Sequence, residues 1–176
     1  IVVCCVSRLA PEKNLDLFAR TVRAMQAVNP RVHGVLVGDG PERARLEREY
    51  PGLVFCGARR GEDLARHYAS ADVFLFPSLT ETFGIVLLEA MAAGLAVLAF
   101  DYAAGAELVE DGVSGRLAPF EDEAAFLRLA ESLARDPASI PGLGQAATRA
   151  ASGHSWQSVR QRFTELLETA VDAAGG

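Results

Sequence analysis

Two glutamates with seven residues between them, Glu81 and Glu89, stand on either side of a Phe-Gly pair, Phe83 and Gly84, that is placed to open a helix. The first N–H groups of a helix have no partner within it and carry a partial positive charge, so a helix start attracts phosphate. Carboxylates beside it would repel a bare phosphate but suit the hydroxyls of an attached sugar. The pattern therefore indicates a ligand that carries both groups, such as a nucleotide sugar.

The glutamates also have two simpler interpretations. They could be a surface residue and an ordinary helix residue, although Glu89 lies among apolar neighbours such as Leu88 and Met91, where an unpaired charge is costly. They could instead be an acid/base pair of the kind that glycoside hydrolases use. The nearby helix start and a separate basic loop favour phosphate over plain carbohydrate.

That basic loop contains Arg8 and Lys13, and it follows the first apolar run of the chain. Two cations could neutralise a diphosphate and the charge that grows on it as a leaving group departs. The alternative is a solvated loop in which Lys13 simply precedes a helix that begins near Asn14.

The elements that must position these residues alternate between short apolar runs and helical patterns. The runs predict strands at 1–6, 32–37, 53–56, 73–76, 96–100 and 115–118, and the helical patterns lie at 15–28, 41–49, 61–69, 84–93 and 121–135. Runs that are apolar on both faces and joined by helices predict an α/β fold with a doubly wound six-stranded parallel sheet. From Pro137 onward the pattern predicts only helices, including an amphipathic one that contains Trp156 and is capped by Ser155.

In such a sheet, ligands bind beyond the carboxyl ends of the strands, where the strand order reverses. With the order 3-2-1-4-5-6, the reversal lies between the first and fourth strands. The loop that carries Arg8 and Lys13 should then face the loop that leads to Gly84 across one crevice.

Two further motifs have structural interpretations that are stronger than functional ones. The segment 38–41, Gly-Asp-Gly-Pro, resembles the start of a dinucleotide fingerprint, but Arg43 occupies the place of the third glycine, and a tight turn explains it better. The acidic triplet 121–123 is expected to supply carboxylates to the first turn of a helix. The three histidines are far apart, so no metal site is expected.

The composition excludes several classes of protein. A net charge of −6 over 176 residues argues against a nucleic-acid surface, and half of the residues are apolar, so a real core is expected. Three cysteines in apolar runs suggest reduced thiols in the cytoplasm. No apolar run is long enough to span a bilayer. A first residue that already lies in a buried strand suggests a piece of a longer protein.

Together these motifs resemble the C-terminal, donor-binding half of a retaining GT-B glycosyltransferase of family four (glycosyl transferases group 1). The resemblance covers nearly the whole chain and rests on segments 6–9 with 13–14, 37–41, 55–57, 71–78 and 107–112, and above all on the Glu81-to-Glu89 motif. It implies a Rossmann-like, nucleotide-sugar-binding domain over residues 1–136. Residues 137–176 would be C-terminal helices that pack on it or on a missing N-terminal domain.

The resemblance also implies roles for individual residues. Arg8 and Lys13 would hold the donor diphosphate and stabilise the leaving nucleoside diphosphate. Glu81 would contact the transferred sugar, and Glu89 would contact the ribose. Donor contacts are further implied for the backbone of Phe83, Gly84, Ile85 and Val86, and for Gly57 and Ala58 near the base. The catalytic set is then Arg8, Lys13 and Glu81, with no metal and no cofactor.

The expected activity is retaining transfer of a hexose from GDP-mannose or a UDP-hexose, as in bacterial enzymes of glycolipid or glycan assembly. The acceptor would be held by the absent N-terminal domain, so the isolated domain should not transfer sugar efficiently. The expected location is the cytoplasm, with peripheral attachment to the inner face of the membrane through the absent half as an option. The alternative is a sugar-nucleotide epimerase or another GT-B-like nucleotide-sugar enzyme.

Overall fold

The computed structural model describes residues 1–80 and 84–153, which form one six-stranded parallel sheet with helices on both faces. The strands are β1 (Val2–Val6), β2 (His33–Val37), β3 (Val54–Phe55), β4 (Val73–Phe76), β5 (Ala96–Phe100) and β6 (Gly115–Ala118). Their order is β3-β2-β1-β4-β5-β6, and every pairing is parallel. Both the doubly wound fold and the strand order expected from the sequence are confirmed.

Five of the described helices agree with the predicted ones to within about two residues at each end, and another lies in the region from Pro137 onward for which helices were predicted without bounds. The helices are α1 (Leu15–Val28), α2 (Arg43–Glu49), α3 (Gly61–Ala69), α4 (Ile85–Ala92), α5 (Ala104–Leu108), α6 (Glu123–Arg135) and α7 (Ile140–Ser152). The short helix α5 was not predicted. The acidic triplet does lie at a helix start: the Asp122 carboxylate caps α6 by accepting a hydrogen bond from Ala125 N at 2.8 Å.

The strands bury both of their faces, which is why their sequences are apolar without alternation. In β1, Val3 and Cys5 contact the core beneath α1, α2 and α6, whereas Cys4 and Val6 contact the core on the side of α3, α4 and α5. Successive side chains of a strand point to opposite faces of the sheet, so neighbouring residues contact different cores. The sheet is therefore a rigid platform whose carboxyl edge carries the loops of interest.

The helix α7 packs on this same platform. Ala147 and Ala151 are buried with α4 and β5, and a Cβ on Gly144 would approach Gly94 O to 2.0 Å, so the two backbones are in close contact. Residues 154–176, with the predicted cap Ser155 and Trp156, lie outside the described residues. The division into units 1–136 and 137–176 therefore remains a prediction.

Candidate functional site

The loop after β1 is held by its apolar residues and presents its charged ones. Leu9 is fully buried, whereas Arg8 is exposed and makes no ion pair with any residue that the structure describes. A 3₁₀ turn, Pro11–Lys13, places Lys13 half-buried, and Asn14 then adopts a left-handed conformation (φ 52°) from which α1 begins. The loop thus presents two cations at the carboxyl end of the central strand.

Backbone hydrogen bonds fix this loop against the loop after β2. Ser7 N donates to Val37 O at 3.1 Å, and Leu9 N donates to Asp39 O at 2.9 Å. The approach is so close that a Cβ on Gly38 would lie 1.8 Å from Ser7 O, and one on Gly40 would lie 2.3 Å from Leu9 O. Packing therefore accounts for both glycines, which agrees with the tight-turn interpretation and not with a dinucleotide fingerprint.

The opposite wall of the crevice is the connection from β4 to α4. Pro77 and Ser78 are buried directly after β4, and α4 begins after Gly84, whose φ of 57° is left-handed. A Cβ on Gly84 would also approach the Cβ of Ala104 to 2.4 Å. Glycine is required there for two reasons, and the helix starts within one residue of the predicted position. Glu81 and Phe83 lie outside the described residues.

The two walls enclose a cavity of about 360 Å³. Its polar and charged lining comes from Ser7, Arg8, Lys13 and Ser78, and the first turn of α4 contributes Ile85 and Val86. The structure therefore brings the basic loop and the helix start together, as the strand order predicted. Ser78 was not selected from the sequence, although its position directly after the fourth strand could have signalled it.

The cavity favours anions. Burial raises the pKa of the Cys5 thiol on its floor to about 12, although a hydrogen bond to Ser7 and the charge of Lys13 act in the opposite direction. The thiol is therefore neutral near pH 7 and adds no negative charge. Two cations, a neutral floor and the first turn of a helix together suit a phosphate group.

Glu89 lies one turn further along α4 and lines a second cavity, of about 320 Å³, between α3 and α4. Its apolar neighbours in the sequence suggested that an unpaired charge would be costly there, but Glu89 is exposed while Leu87, Ala90 and Met91 face the core. Residues adjacent in sequence point in different directions around a helix.

The carboxylate of Glu89 has a fixed partner that sequence reasoning missed. The hydroxyl of Tyr68, in α3, donates to Glu89 Oε2 at 2.9 Å and also lies 3.4 Å from Val86 O. Tyr68 itself is 3% exposed. Burial, and after it the charge of Glu89, raise the pKa of Tyr68 well above its ordinary value, so the hydroxyl remains a donor. An exposed carboxylate is thus held by a buried, permanent donor.

Gly57 and Ala58 lie at the same edge of the sheet, at the end of β3. Gly57 O accepts a hydrogen bond from Gly38 N at 2.9 Å, and Ala58 is exposed. Among the described residues, neither of the two lines the cavity of Arg8 or that of Glu89. The structure does not bring them to either cavity, and their role near a base remains a prediction.

Within residues 1–80 and 84–153, no group of three or more His, Cys, Asp or Glu side chains is arranged to hold a metal ion. In the same ranges, each helix is too short or too polar to span a bilayer.

Comparisons with known proteins agree with this architecture. The family model for Glycosyl transferases group 1 matches residues 1–136. The chain is 39% identical over 161 residues to a GDP-mannose-dependent alpha-mannosyltransferase of Mycobacterium tuberculosis, a match that covers 90% of this chain and 40% of the relative. The chain therefore spans about two fifths of that relative's length.

Solved structures give the same result. The Anabaena protein HepE in complex with UDP has a TM-score of 0.80 at 26% identity, covering 96% of this chain and 48% of that one. The pneumococcal O-GlcNAc transferase GtfA, solved with UDP and GlcNAc, has a TM-score of 0.81 at 22% identity, covering 97% and 36%, and it supports the fold alone. The family model, the relative at 39% identity and the Rossmann-like fold of GT-B enzymes all agree. The chain therefore belongs to the glycosyl transferases group 1.

Proposed function

We propose that this chain is the donor-binding domain of a retaining hexosyltransferase and that it binds a nucleotide diphospho-sugar at the carboxyl edge of its sheet. The observation that carries the proposal is the cavity in which Arg8 and Lys13 face the first turn of α4. The family to which the chain belongs transfers sugars, which supports the reaction class.

The diphosphate is placed between the basic loop and α4. Arg8 offers a planar set of N–H donors for phosphate oxygens, and Lys13 offers a compact charge. When the bond to the sugar breaks, negative charge grows on the leaving diphosphate, and both cations become more stabilising as it does so. The amides of Ile85 and Val86 add the partial positive charge of a helix start. The proposal needs no metal ion or cofactor for this step.

The nucleoside is placed toward the second cavity. Glu89 accepts hydrogen bonds from the ribose hydroxyls, and Tyr68 holds its carboxylate in position. Val86 lines the first cavity and Glu89 the second, one helical turn apart, so α4 leads from one subsite to the other. The base is assigned to Gly57 and Ala58 by the resemblance alone, since neither residue lines either cavity.

The sugar is assigned to the segment that contains Glu81 and Phe83, by the resemblance described above. Glu81 would bind hydroxyls of the transferred hexose, and the reaction would retain the anomeric configuration by attack on the face that the diphosphate leaves. GDP-mannose is the first candidate donor because the relative at 39% identity is named as GDP-mannose-dependent. A UDP-hexose is the second, since HepE was solved with UDP.

The acceptor is assigned to a separate N-terminal domain. The match covers 40% of the relative, which is therefore about two and a half times as long as its matched part, so the remainder has room for such a domain. The 176-residue chain alone should then bind donor without transferring sugar efficiently. The free cysteines Cys4, Cys5 and Cys56 support a reducing, cytoplasmic location, and any attachment to the membrane would be made by the remainder of the protein.

The test is calorimetric titration of the chain, without added metal, against GDP, UDP, ADP, GDP-mannose and UDP-glucose. We expect selective binding of one diphosphate, and a loss of affinity of about a hundredfold when two charge-assisted contacts are removed in Arg8→Ala/Lys13→Ala. The control is Arg48→Ala/Arg128→Ala, which removes the same net charge from exposed positions on α2 and α6. Equal losses in the two double variants, or no binding of any nucleotide, would contradict the proposal.

A further inference from the structure

Three serine or threonine side chains are buried among the residues that the structure describes: Thr21, Ser78 and Ser114. Ser114 is satisfied, because its Oγ accepts a hydrogen bond from Glu110 N at 2.9 Å. The hydroxyls of Thr21 and Ser78 have no hydrogen-bond partner in the described parts of the chain. A buried hydroxyl without a partner loses its hydration and gains nothing in return.

Of these two hydroxyls, only that of Ser78 lies at the cavity. Ser78 is 8% exposed and lines the cavity that contains Arg8 and Lys13. Thr21 is fully buried on the inner face of α1, away from that cavity. Ser78 therefore borders the cavity with a buried oxygen whose hydrogen bond is unmet, and a ligand there would complete that bond once the side chain turns toward it. Thr21 does not line this cavity.

We infer that Ser78 is a ligand-binding residue whose hydroxyl donates a hydrogen bond to an oxygen of the bound diphosphate. The inference rests on the proposed function and extends it with a residue that neither the sequence motifs nor the comparisons assign. Phosphate is the expected acceptor because the hydroxyl shares its cavity with two cations. A hydroxyl can turn its proton toward an oxyanion, and such charge-assisted bonds are short and strong.

This role has an unusual consequence for stability. A hydroxyl that forms a hydrogen bond within the fold stabilises it, and its removal lowers the melting temperature. The Ser78 hydroxyl has no such bond to any residue that the structure describes, so its removal should leave the melting temperature unchanged or raise it. The same removal should weaken binding of the ligand.

The experiment compares Ser78→Ala with two matched variants of the 176-residue chain, using GDP and GDP-mannose as probes. Thr21→Val removes the other unpaired hydroxyl at nearly constant volume, and Ser114→Ala removes the satisfied one. Melting temperatures are measured without ligand, and affinities by calorimetry. For Ser78→Ala we expect an unchanged or higher melting temperature and about tenfold weaker binding of both probes, the size of one charge-assisted hydrogen bond.

The two controls should separate stability from binding. Thr21→Val should not lower the melting temperature, Ser114→Ala should lower it, and both should bind GDP as the unsubstituted chain does. Equal GDP affinity in Ser78→Ala and the unsubstituted chain would overturn the inference while the proposed function stands. Weaker binding of GDP-mannose but not of GDP would also overturn it, because the hydroxyl would then contact the sugar. If the unsubstituted chain binds neither probe, nor UDP, the proposed function fails and the inference fails with it.

Discussion

Replacement of Tyr68 by phenylalanine tests how the protein positions Glu89. The substitution keeps the buried ring, whose centroid lies 6.0 Å from that of Phe74, and removes only the hydroxyl that donates to Glu89 Oε2 at 2.9 Å. Because Glu89 is exposed, its carboxylate regains water when the donor is lost, so the cost should be near that of an ordinary hydrogen bond, about 1 kcal/mol. For a chain of this size that corresponds to a fall in melting temperature of roughly 2–4 °C.

The expected effect on binding follows from the lost restraint. Without the hydroxyl, the Glu89 side chain must be ordered by the ligand itself, which costs about 0.5–1.5 kcal/mol per immobilised side chain and predicts roughly two- to tenfold weaker binding of GDP. The assay is calorimetry with GDP and with 2′,3′-dideoxy-GDP, which lacks the ribose hydroxyls. Glu89→Gln should abolish most of the preference for GDP with a nearly unchanged melting temperature, and Tyr68→Phe should reduce the preference partway.

Tyr50→Phe provides the matched control. It removes a similar bond, in which the Tyr50 hydroxyl donates to Asp16 Oδ1 at 2.8 Å, and neither residue lines a cavity of the site. It should lower the melting temperature by a similar amount and leave nucleotide binding unchanged. If Tyr68→Phe lowers the melting temperature but keeps the full preference for GDP that Glu89→Gln loses, then Tyr68 is purely structural and the reasoning is refuted.

Three other predictions concern stability. Gly84→Ala should lower the free energy of unfolding by about 1–3 kcal/mol, since its φ of 57° is strained for alanine and its Cβ would approach that of Ala104 to 2.4 Å; an unchanged urea midpoint would contradict the structure. Hydrogen bonds from Arg45 hold the pKa of Asp16 below its ordinary 3.8. Their contribution to the free energy of unfolding is therefore present above about pH 4 and is lost as the pH falls through the lowered pKa. Asp16→Asn should therefore cost about 1 kcal/mol or less at pH 7, because the pair is partly exposed, and less than that at pH 2, as measured by thermal unfolding at both values. Burial raises the pKa of Cys5 from 9.0 to about 12, so the contribution of the protonated thiol to the free energy of unfolding is complete below pH 9 and is lost as the pH rises toward 12. Between pH 8 and pH 10.5, the urea midpoint should therefore fall less in Cys5→Ala than in the unsubstituted chain.

Most of the fold was predictable from the sequence because its strands are buried on both faces. Segments such as Val73–Phe76 and Ala96–Phe100 have no exposed positions, so they are apolar throughout, and turn residues and helical patterns mark their ends. Given parallel strands, the usual doubly wound order then places the loops after β1 and β4 side by side. That geometry brought Arg8 and Lys13 to the start of α4.

The features that the sequence did not predict depend on short segments or on contacts between elements that are distant in the chain. The helix α5 spans five residues rich in alanine and glycine, too few to show a period. The apolar residues beside Glu89 in the sequence suggested a costly charge, but the turn of the helix points the side chain outward. The partner of Glu89, Tyr68, comes from another helix, and the unmet hydrogen bond of Ser78 is visible only when all of its neighbours in space are known.

The central position of β1 in the sheet has a consequence for biosynthesis. β1 pairs with β2 on one side and with β4 on the other, and its second neighbour is fixed by contacts such as the hydrogen bond from Val2 N to Asp72 Oδ2, across a separation of 70 residues. At ordinary translation speeds of about 5–20 residues per second, roughly 4–14 s pass between synthesis of the strand and arrival of that neighbour. During this interval an apolar strand in the nascent chain has one open edge, which is the feature that chaperones bind and that aggregation exploits. The crevice cannot form before that strand arrives, so a nucleotide can stabilise this fold only after the first half of the chain has been made.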